Sequence, residues 1–163
     1  MTMWRTMIVA TLTALAASTV GVAVAAEPAA ATVRYSALFQ NRSTGKCLET
    51  PYGTKEELAQ MGQYTCYGWA TQQWNYNTDT GLIQNVWSGM CLEVMYWNPN
   101  DYAPVGQFRC TGAANQQWTM VASSGLIGNR FSGKCLEVLG SADFAKVVQR
   151  TCGSGYQFWS WTT

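Results

Sequence analysis

The sequence predicts an all-β fold, a β-trefoil of three four-stranded lobes with pseudo-threefold symmetry, and three observations carry that prediction. One pattern recurs as LFQNRSTGKCLET from Leu38, LIQNVWSGMCLEV from Leu82 and LIGNRFSGKCLEV from Leu126. Its landmarks are evenly spaced, with Cys47, Cys91 and Cys135 standing 44 residues apart, as do Gly45, Gly89 and Gly133. A Q-x-W motif then closes each copy, at Gln72 to Trp74, Gln116 to Trp118 and Gln157 to Trp159. No segment of useful length has helical periodicity. A propeller of similar period would need more blades than three repeats supply, and it would carry a W-D signature that is absent.

The first 26 of the 163 residues read as a secretory signal peptide. Arg5 forms a short basic start, an apolar run begins at Met7, and small residues at Ala23 and Ala25 suit cleavage after Ala26. An uncleaved membrane anchor is the rival reading, but Thr and Ser dilute the run. Residues 27–32 follow as a short N-terminal segment, and residues 33–163 form the trefoil domain, with lobes of about 33–80, 81–124 and 125–163 on the 44-residue period. Each lobe reads as four short strands separated by turn chemistry. In the first lobe these lie around ALFQN, KCLET, GQYTC and QQWNY, divided by STG before Cys47, a polar loop from Pro51, YGWAT after Cys66 and DTG before the next lobe.

Six cysteines in an exported chain suit disulfides, and only the pairing Cys47 with Cys66, Cys91 with Cys110 and Cys135 with Cys152 respects the threefold repeat. With no C-x-x-C pair and no histidine, no metal site is expected and no cofactor is implied. The missing histidine also excludes Ser-His-Asp and Cys-His nucleophiles, although a Ser-Lys arrangement stays open. A glycosidase needs two carboxyl groups roughly 5 to 9.5 Å apart, whereas Glu49, Glu93 and Glu137 fall one to a lobe and Asp79, Asp101 and Asp143 have no evident partner. The chain is therefore not expected to be an enzyme. Beyond the leader, nine Lys and Arg balance nine Asp and Glu, so nothing draws the chain toward nucleic acid or into a membrane.

Trp74, Trp118 and Trp159 recur once per lobe, as a shared core on a threefold axis requires. Gln72, Gln116 and Gln157 stand two residues earlier, hence on the same face of a strand as the Trp, and a buried amide there must tie down backbone or a polar neighbour. Asn41-Arg42-Ser43 is formally a glycosylation sequon, but Asn85 and Asn129 repeat the Asn without it, which favours a turn role.

Three Q-x-W motifs, in register with three C-L-E strands and three cysteine pairs, resemble the ricin-B-type β-trefoil lectins and related carbohydrate-binding modules over about Val33 to Thr163. The resemblance implies one shallow sugar pocket per lobe, built from an Asp two residues after the first Cys, an aromatic two residues before the second, and an Asn before the Gln of Q-x-W. A carboxylate accepts bonds from neighbouring hydroxyls, a ring covers the apolar face of a pyranose and an amide reads a further hydroxyl. Carried onto this chain, the pattern selects Glu93, Phe108, Asn115 and Gln116 in lobe two. Lobe one supplies Glu49, Tyr64 and Gln72, with Thr71 in place of the Asn, and lobe three has Glu137, Arg150, Tyr156 and Gln157, without the ring or the Asn. Glu replaces the family's Asp in every lobe, moving the carboxylate by about 1.5 Å. Each glutamate thus reads either as a sugar contact or as a structural acceptor for turn amides.

The expected function is a secreted, non-catalytic, lectin-like protein that binds glycan or polysaccharide, with lobe two strongest and lobe three silent. The alternative is a protein-binding trefoil, a protease inhibitor or a targeting subunit of a toxin or enzyme assembly. It would use the loop MYWNPNDYAPV, whose Tyr96, Trp97 and Tyr102 are expected close to the lobe-two pocket.

Overall fold

The computed structural model describes residues 33–153 and 155–162, so the expected signal peptide and the segment after it lie outside the described residues. The described residues form twelve strands. Lobe one holds β1 (Val33–Asn41), β2 (Cys47–Glu49), β3 (Gly62–Tyr64) and β4 (Gln73–Asn77). Lobe two holds β5 (Ile83–Asn85), β6 (Cys91–Val94), β7 (Val105–Phe108) and β8 (Trp118–Val121). Lobe three holds β9 (Leu126–Asn129), β10 (Cys135–Val138), β11 (Val147–Arg150) and β12 (Trp159–Thr162). The fold is the expected β-trefoil.

Six strands close a barrel and three hairpins cap it. In the barrel β1 pairs antiparallel with β12 and β4, β4 with β5, and β8 with β9. The remaining seams close through the Trp118 amide on Gly81 O and the Trp159 amide on Gly125 O, both 2.8 Å. A Cβ at Gly81 would lie 2.8 Å from the Trp118 carbonyl oxygen, and one at Gly125 would strike that of Trp159. Both glycines also hold positive φ, so these seams admit glycine alone. The caps are the hairpins β2–β3, β6–β7 and β10–β11.

Burial follows the repeat. Trp74, Trp118 and Trp159 are wholly buried together with Phe39, Ile83 and Ile127 from the barrel and Leu48, Leu92 and Leu136 from the C-L-E strands. Each indole also satisfies its polar edge, because Nε1 donates to the carbonyl oxygen of Leu48, Leu92 or Leu136 at 3.1, 2.9 and 3.0 Å. The glutamines do not share a strand with these tryptophans. Gln72 and Gln116 end short 3-10 turns, Ala70–Gln72 and Ala114–Gln116, just ahead of β4 and β8, so their amides turn toward the hairpin instead of the barrel. The three disulfides join Cys47 to Cys66, Cys91 to Cys110 and Cys135 to Cys152, all within a lobe as expected.

The asparagines carry the expected turn role. Oδ1 of Asn41, Asn85 and Asn129 accepts from the backbone amides two and three residues on. Each Nδ2 crosses to the preceding lobe, reaching the carbonyl oxygens of Tyr156, Thr71 and Asn115. Asn41 is fully buried, which leaves no room for a glycan on it.

The loop between the second and third strands of each lobe leans on the next hairpin. Gln63 Nε2 donates to Gly140 O and Ala142 O, Gln107 to Thr54 O and Glu56 O, and Gln149 to Asn98 O and Asn100 O. Ion pairs fasten the same contacts: Lys46 with Asp143 at 2.5 Å, Lys134 with Asp101 at 2.7 Å and Arg109 with Glu57 at 3.2 Å. The lysines hold the Asp143 and Asp101 carboxyls below their ordinary range. Consequently Phe144 of lobe three sits on lobe one, Leu58 of lobe one on lobe two, and Tyr102 of lobe two on lobe three, each through its amide to the carbonyl of the hairpin glutamine. Tyr102 is thus not beside the lobe-two pocket. Its ring lies under Arg150 of lobe three, with Arg150 Cζ 5.3 Å from the centroid, and Trp97 meets Phe131 of lobe three edge-on at 5.1 Å.

Truncating a threefold core residue opens a large void, so Trp118→Ala is expected to cost about 3 to 5 kcal/mol in chemical denaturation. Trp97→Ala, at a half-exposed site that loses only the edge-on pair with Phe131, is expected to cost about 0.5 to 1.5 kcal/mol. Equal effects would mean that the axial tryptophans are not the core.

Candidate functional site

The hairpin register puts the ring position and the carboxylate on one face. Cys47 pairs with Tyr64 and Glu49 with Gly62, Cys91 with Phe108 and Glu93 with Gly106, and Cys135 with Arg150 and Glu137 with Val148. Residues opposite in register and residues two apart share a face. Tyr64 is therefore diagonal to Glu49, Phe108 to Glu93 and Arg150 to Glu137.

The glutamine of each Q-x-W holds that carboxylate. Gln72 Nε2 donates to Glu49 Oε2 at 2.7 Å, and Gln116 and Gln157 do the same to Glu93 and Glu137 at 2.8 Å. The same nitrogens donate to the carbonyl oxygens of Thr65, Arg109 and Thr151, and the amide oxygens accept from backbone N–H groups just after the second cysteine of the lobe. All three glutamines are fully buried. The carboxylates thus accept from a side-chain amide, where turn amides were the expected structural donors.

The lobes differ at the other carboxylate oxygen. Glu137 Oε1 is taken by Arg150 Nη1 at 3.3 Å. Glu49 Oε1 accepts from the Thr71 hydroxyl at 3.4 Å. At Glu93 Oε1 no donor of the described residues comes within 3.5 Å, although the Asn115 side-chain amide is near enough to favour the ionised carboxyl. Asn115, the amide expected beside it, donates to Val94 O at 3.1 Å, and its own Oδ1 is buried without a partner among the described residues. Burial pushes the Glu93 carboxyl above its ordinary value, against the opposing pull of Gln116 and the nearby Asn115 amide. Burial likewise raises Glu49, with Gln72 and Thr71 opposing.

The rings also differ. Phe108 is half-buried and carries the Arg109 guanidinium 5.0 Å from its centroid, so one of its faces is covered. Tyr64 stands in a cluster: Phe144 lies 4.7 Å away, Trp69 6.2 Å and Tyr67 6.1 Å between centroids, and Tyr52 stacks on Phe144 at 4.7 Å. None of Tyr52, Tyr67, Trp69 or Phe144 belongs to the expected site. Phe144 stands eight residues before Cys152, as Leu58 and Tyr102 stand before Cys66 and Cys110, but the repeat does not reveal that this position serves the next lobe. Away from the glutamates, a cavity of about 360 Å³ is lined by Val33, Tyr35, Asn75, Asn77 and Leu82 and bordered by the Cys91–Cys110 disulfide.

The sequence model described as the ricin-type beta-trefoil lectin domain matches residues 35–159. No curated protein matches the chain by sequence. Among solved structures the chain is similar to the designed threefold-symmetric protein ThreeFoil, at 29% identity and a TM-score of 0.74 over 78% of this chain and 97% of that one. It is similar to the hemolytic lectin CEL-III, at 26% identity and 0.68 over 79% of this chain, and to the exo-beta-1,3-galactanase 1,3Gal43A of Clostridium thermocellum, at 28% and 0.66 over 80%. It spans only 30% and 29% of those two longer chains.

Removing the Gln116 amide takes away a hydrogen bond that lowers the Glu93 pKa. Gln116→Ala is therefore expected to move the Glu93 titration, followed by NMR, further above its ordinary value, and to cost about 1 to 3 kcal/mol for buried groups left unpaired. Because the folded pKa is raised, this group's contribution to stability is present at low pH and is lost as the pH rises from 4.5 through the folded value. An unmoved titration would show that Gln116 does not hold the carboxylate.

Proposed function

The chain belongs to the ricin-type β-trefoil lectin domain family, and on that basis we propose that it is a secreted, non-catalytic protein that binds glycan or polysaccharide through shallow pockets in lobes two and one. The observation that carries the reading is lobe two, where one Glu93 oxygen has no donor of the described residues within 3.5 Å, on the same hairpin face as the half-exposed ring of Phe108. Sugar recognition needs that pair, an acceptor for hydroxyls beside an apolar face for the pyranose. Gln116 and Gln72, wholly buried, act as positioning residues that aim the carboxylates, and Asn115 shapes the pocket wall next to Val94.

Lobe one offers Glu49 and Tyr64 with part of the carboxylate engaged by Thr71. Lobe three is silent, since Arg150 replaces the ring and neutralises Glu137. No catalysis is proposed, because the three glutamates stand in separate lobes and each is held by its own glutamine. The apolar leader and the three disulfides support export. Likeness to a chain named as an exo-beta-1,3-galactanase makes galactose-containing glycans the first to try.

Glycan profiling of the purified protein tests the class, and retention on no glycan would sink it. With one monosaccharide ligand, Phe108→Ala is expected to lose the most affinity, Tyr64→Ala less and Arg150→Ala almost none, with folding verified for each. The reverse order would refute the site assignment. Binding at lobe two requires the Glu93 carboxylate to be ionised, so affinity is expected to fall on acidification with a midpoint above the ordinary value of 4.5. A midpoint at or below 4.5 would remove Glu93 from the contact.

A further inference from the structure

The threefold repeat supplies its own control, because the same backbone positions occur three times and rings gather at only one of them. Around lobe one the positions hold Tyr52, Phe144, Tyr64, Tyr67 and Trp69. The equivalent positions of lobe two hold Tyr96, Leu58, Phe108, Thr111 and Ala113. Those of lobe three begin with Gly140, Tyr102, Arg150 and Gly153, and the turn before Gln157 is one residue shorter. The fold therefore does not require aromatic side chains there.

In lobe one the rings form a continuous belt. Tyr52 stacks on Phe144 with centroids 4.7 Å apart and planes 18° from parallel, Phe144 meets Tyr64 at 4.7 Å, Tyr64 meets Trp69 at 6.2 Å, and Trp69 stacks on Tyr67 at 4.6 Å. The belt is open to solvent. Tyr52 is 84% exposed, Tyr67 59% and Trp69 52%. Trp87 stands by the turn that follows Tyr52, where its Nε1 donates to Gly53 O at 2.8 Å and Lys55 covers its ring at 4.2 Å. Residue 53 also faces the Thr71 methyl, so the belt borders the Glu49, Thr71 and Gln72 cluster.

We infer that lobe one is a multi-residue platform for a neutral polysaccharide chain, in which successive pyranose rings cover the belt and Glu49 and Thr71 take hydroxyls at its border. The inference rests on the carbohydrate-binding reading above. A belt of several linked rings is longer than one sugar needs, and it matches a ligand whose apolar faces repeat. Exposed patches of this kind mark binding surfaces. Stacking within the belt holds Tyr52, Phe144, Tyr67 and Trp69 in place, which lowers the entropy lost when a chain binds. The belt's own side chains carry no charge and the flanking Lys55 is engaged over Trp87, so no charged ligand is called for. The two working lobes then have separate roles. Lobe two reads a single ring, and lobe one follows a chain, with avidity when one polymer reaches both.

The experiment compares soluble β-1,3-galactan, xylan and β-1,3-glucan with their monosaccharides, using the parent, Tyr52→Ala, Trp69→Ala, Phe108→Ala and, as an exposed control, Trp97→Ala. The parent is expected to bind a polymer more tightly than its monosaccharide. Tyr52→Ala and Trp69→Ala should each weaken polymer binding by roughly two- to tenfold, the gain of one aromatic contact, and Trp97→Ala should not. If Tyr52→Ala and Trp69→Ala bind polymer like the parent while Phe108→Ala still loses sugar, the platform is overturned and the lectin reading stands. If the parent retains neither polymer nor monosaccharide, both are overturned. Sedimentation is measured on the same samples, and a dimer abolished by Tyr52→Ala would assign the belt to a second copy of the chain and overturn the inference.

Discussion

Each Q-x-W motif grips the C-L-E strand of its own lobe in two places at once, and the rest of the structure depends on that grip. The tryptophan fills the axis and donates its indole N–H to the leucine carbonyl, and the glutamine two residues earlier donates to the glutamate carboxylate. One end of the motif thus builds core and the other builds a polar floor under the hairpin face. Burying an amide and a carboxylate together is tolerable only because each satisfies the other and the remaining amide atoms find backbone partners. The 3-10 turns before β4 and β8 let residues two apart point in these different directions, which a strand would not allow.

A second constraint acts between lobes. Every hairpin glutamine, Gln63, Gln107 or Gln149, ties down two carbonyl oxygens from the loop of the preceding lobe. That contact carries one side chain across the boundary beside the next ring position: Phe144, Leu58 or Tyr102. Each face is therefore composite, and its character depends on two lobes. Lobe three receives Tyr102 under Arg150, and the arginine also pairs with Glu137, whereas no such ion pair reaches Glu93 on the equivalent face of lobe two among the described residues. Lobe one receives Phe144 and becomes the aromatic belt.

The fold is legible in the sequence because the repeat is strong. Twelve strands, intralobe disulfides, axial tryptophans and turn-forming asparagines all follow from a spacing of 44 residues and the chemistry of each recurring side chain. Several local expectations differ from the structure, among them the donors to the glutamates and the place of the Asn115 amide. Spacing alone places all of Q-x-W in a strand, but in lobes one and two the glutamine ends a 3-10 turn just ahead of the strand, and its side chain is held by the hairpin carboxylate. Chain order places Tyr102 with the lobe-two pocket, whereas its amide pairs with Gln149 O of lobe three.

By itself the sequence determined what depends on residue type and spacing: the β-trefoil, the cysteine pairs, and a glutamate, a ring position and a glutamine in each lobe. Those contacts are internal to a lobe, and a period reports them directly. Tertiary structure alone decided which groups hold each carboxylate, which amides are wholly buried, and that rings from lobes one and three meet in one belt. A loop's contact with the neighbouring lobe depends on how the three lobes close around their common axis. Linear spacing repeats the same pattern in each lobe but does not record which neighbour that pattern touches.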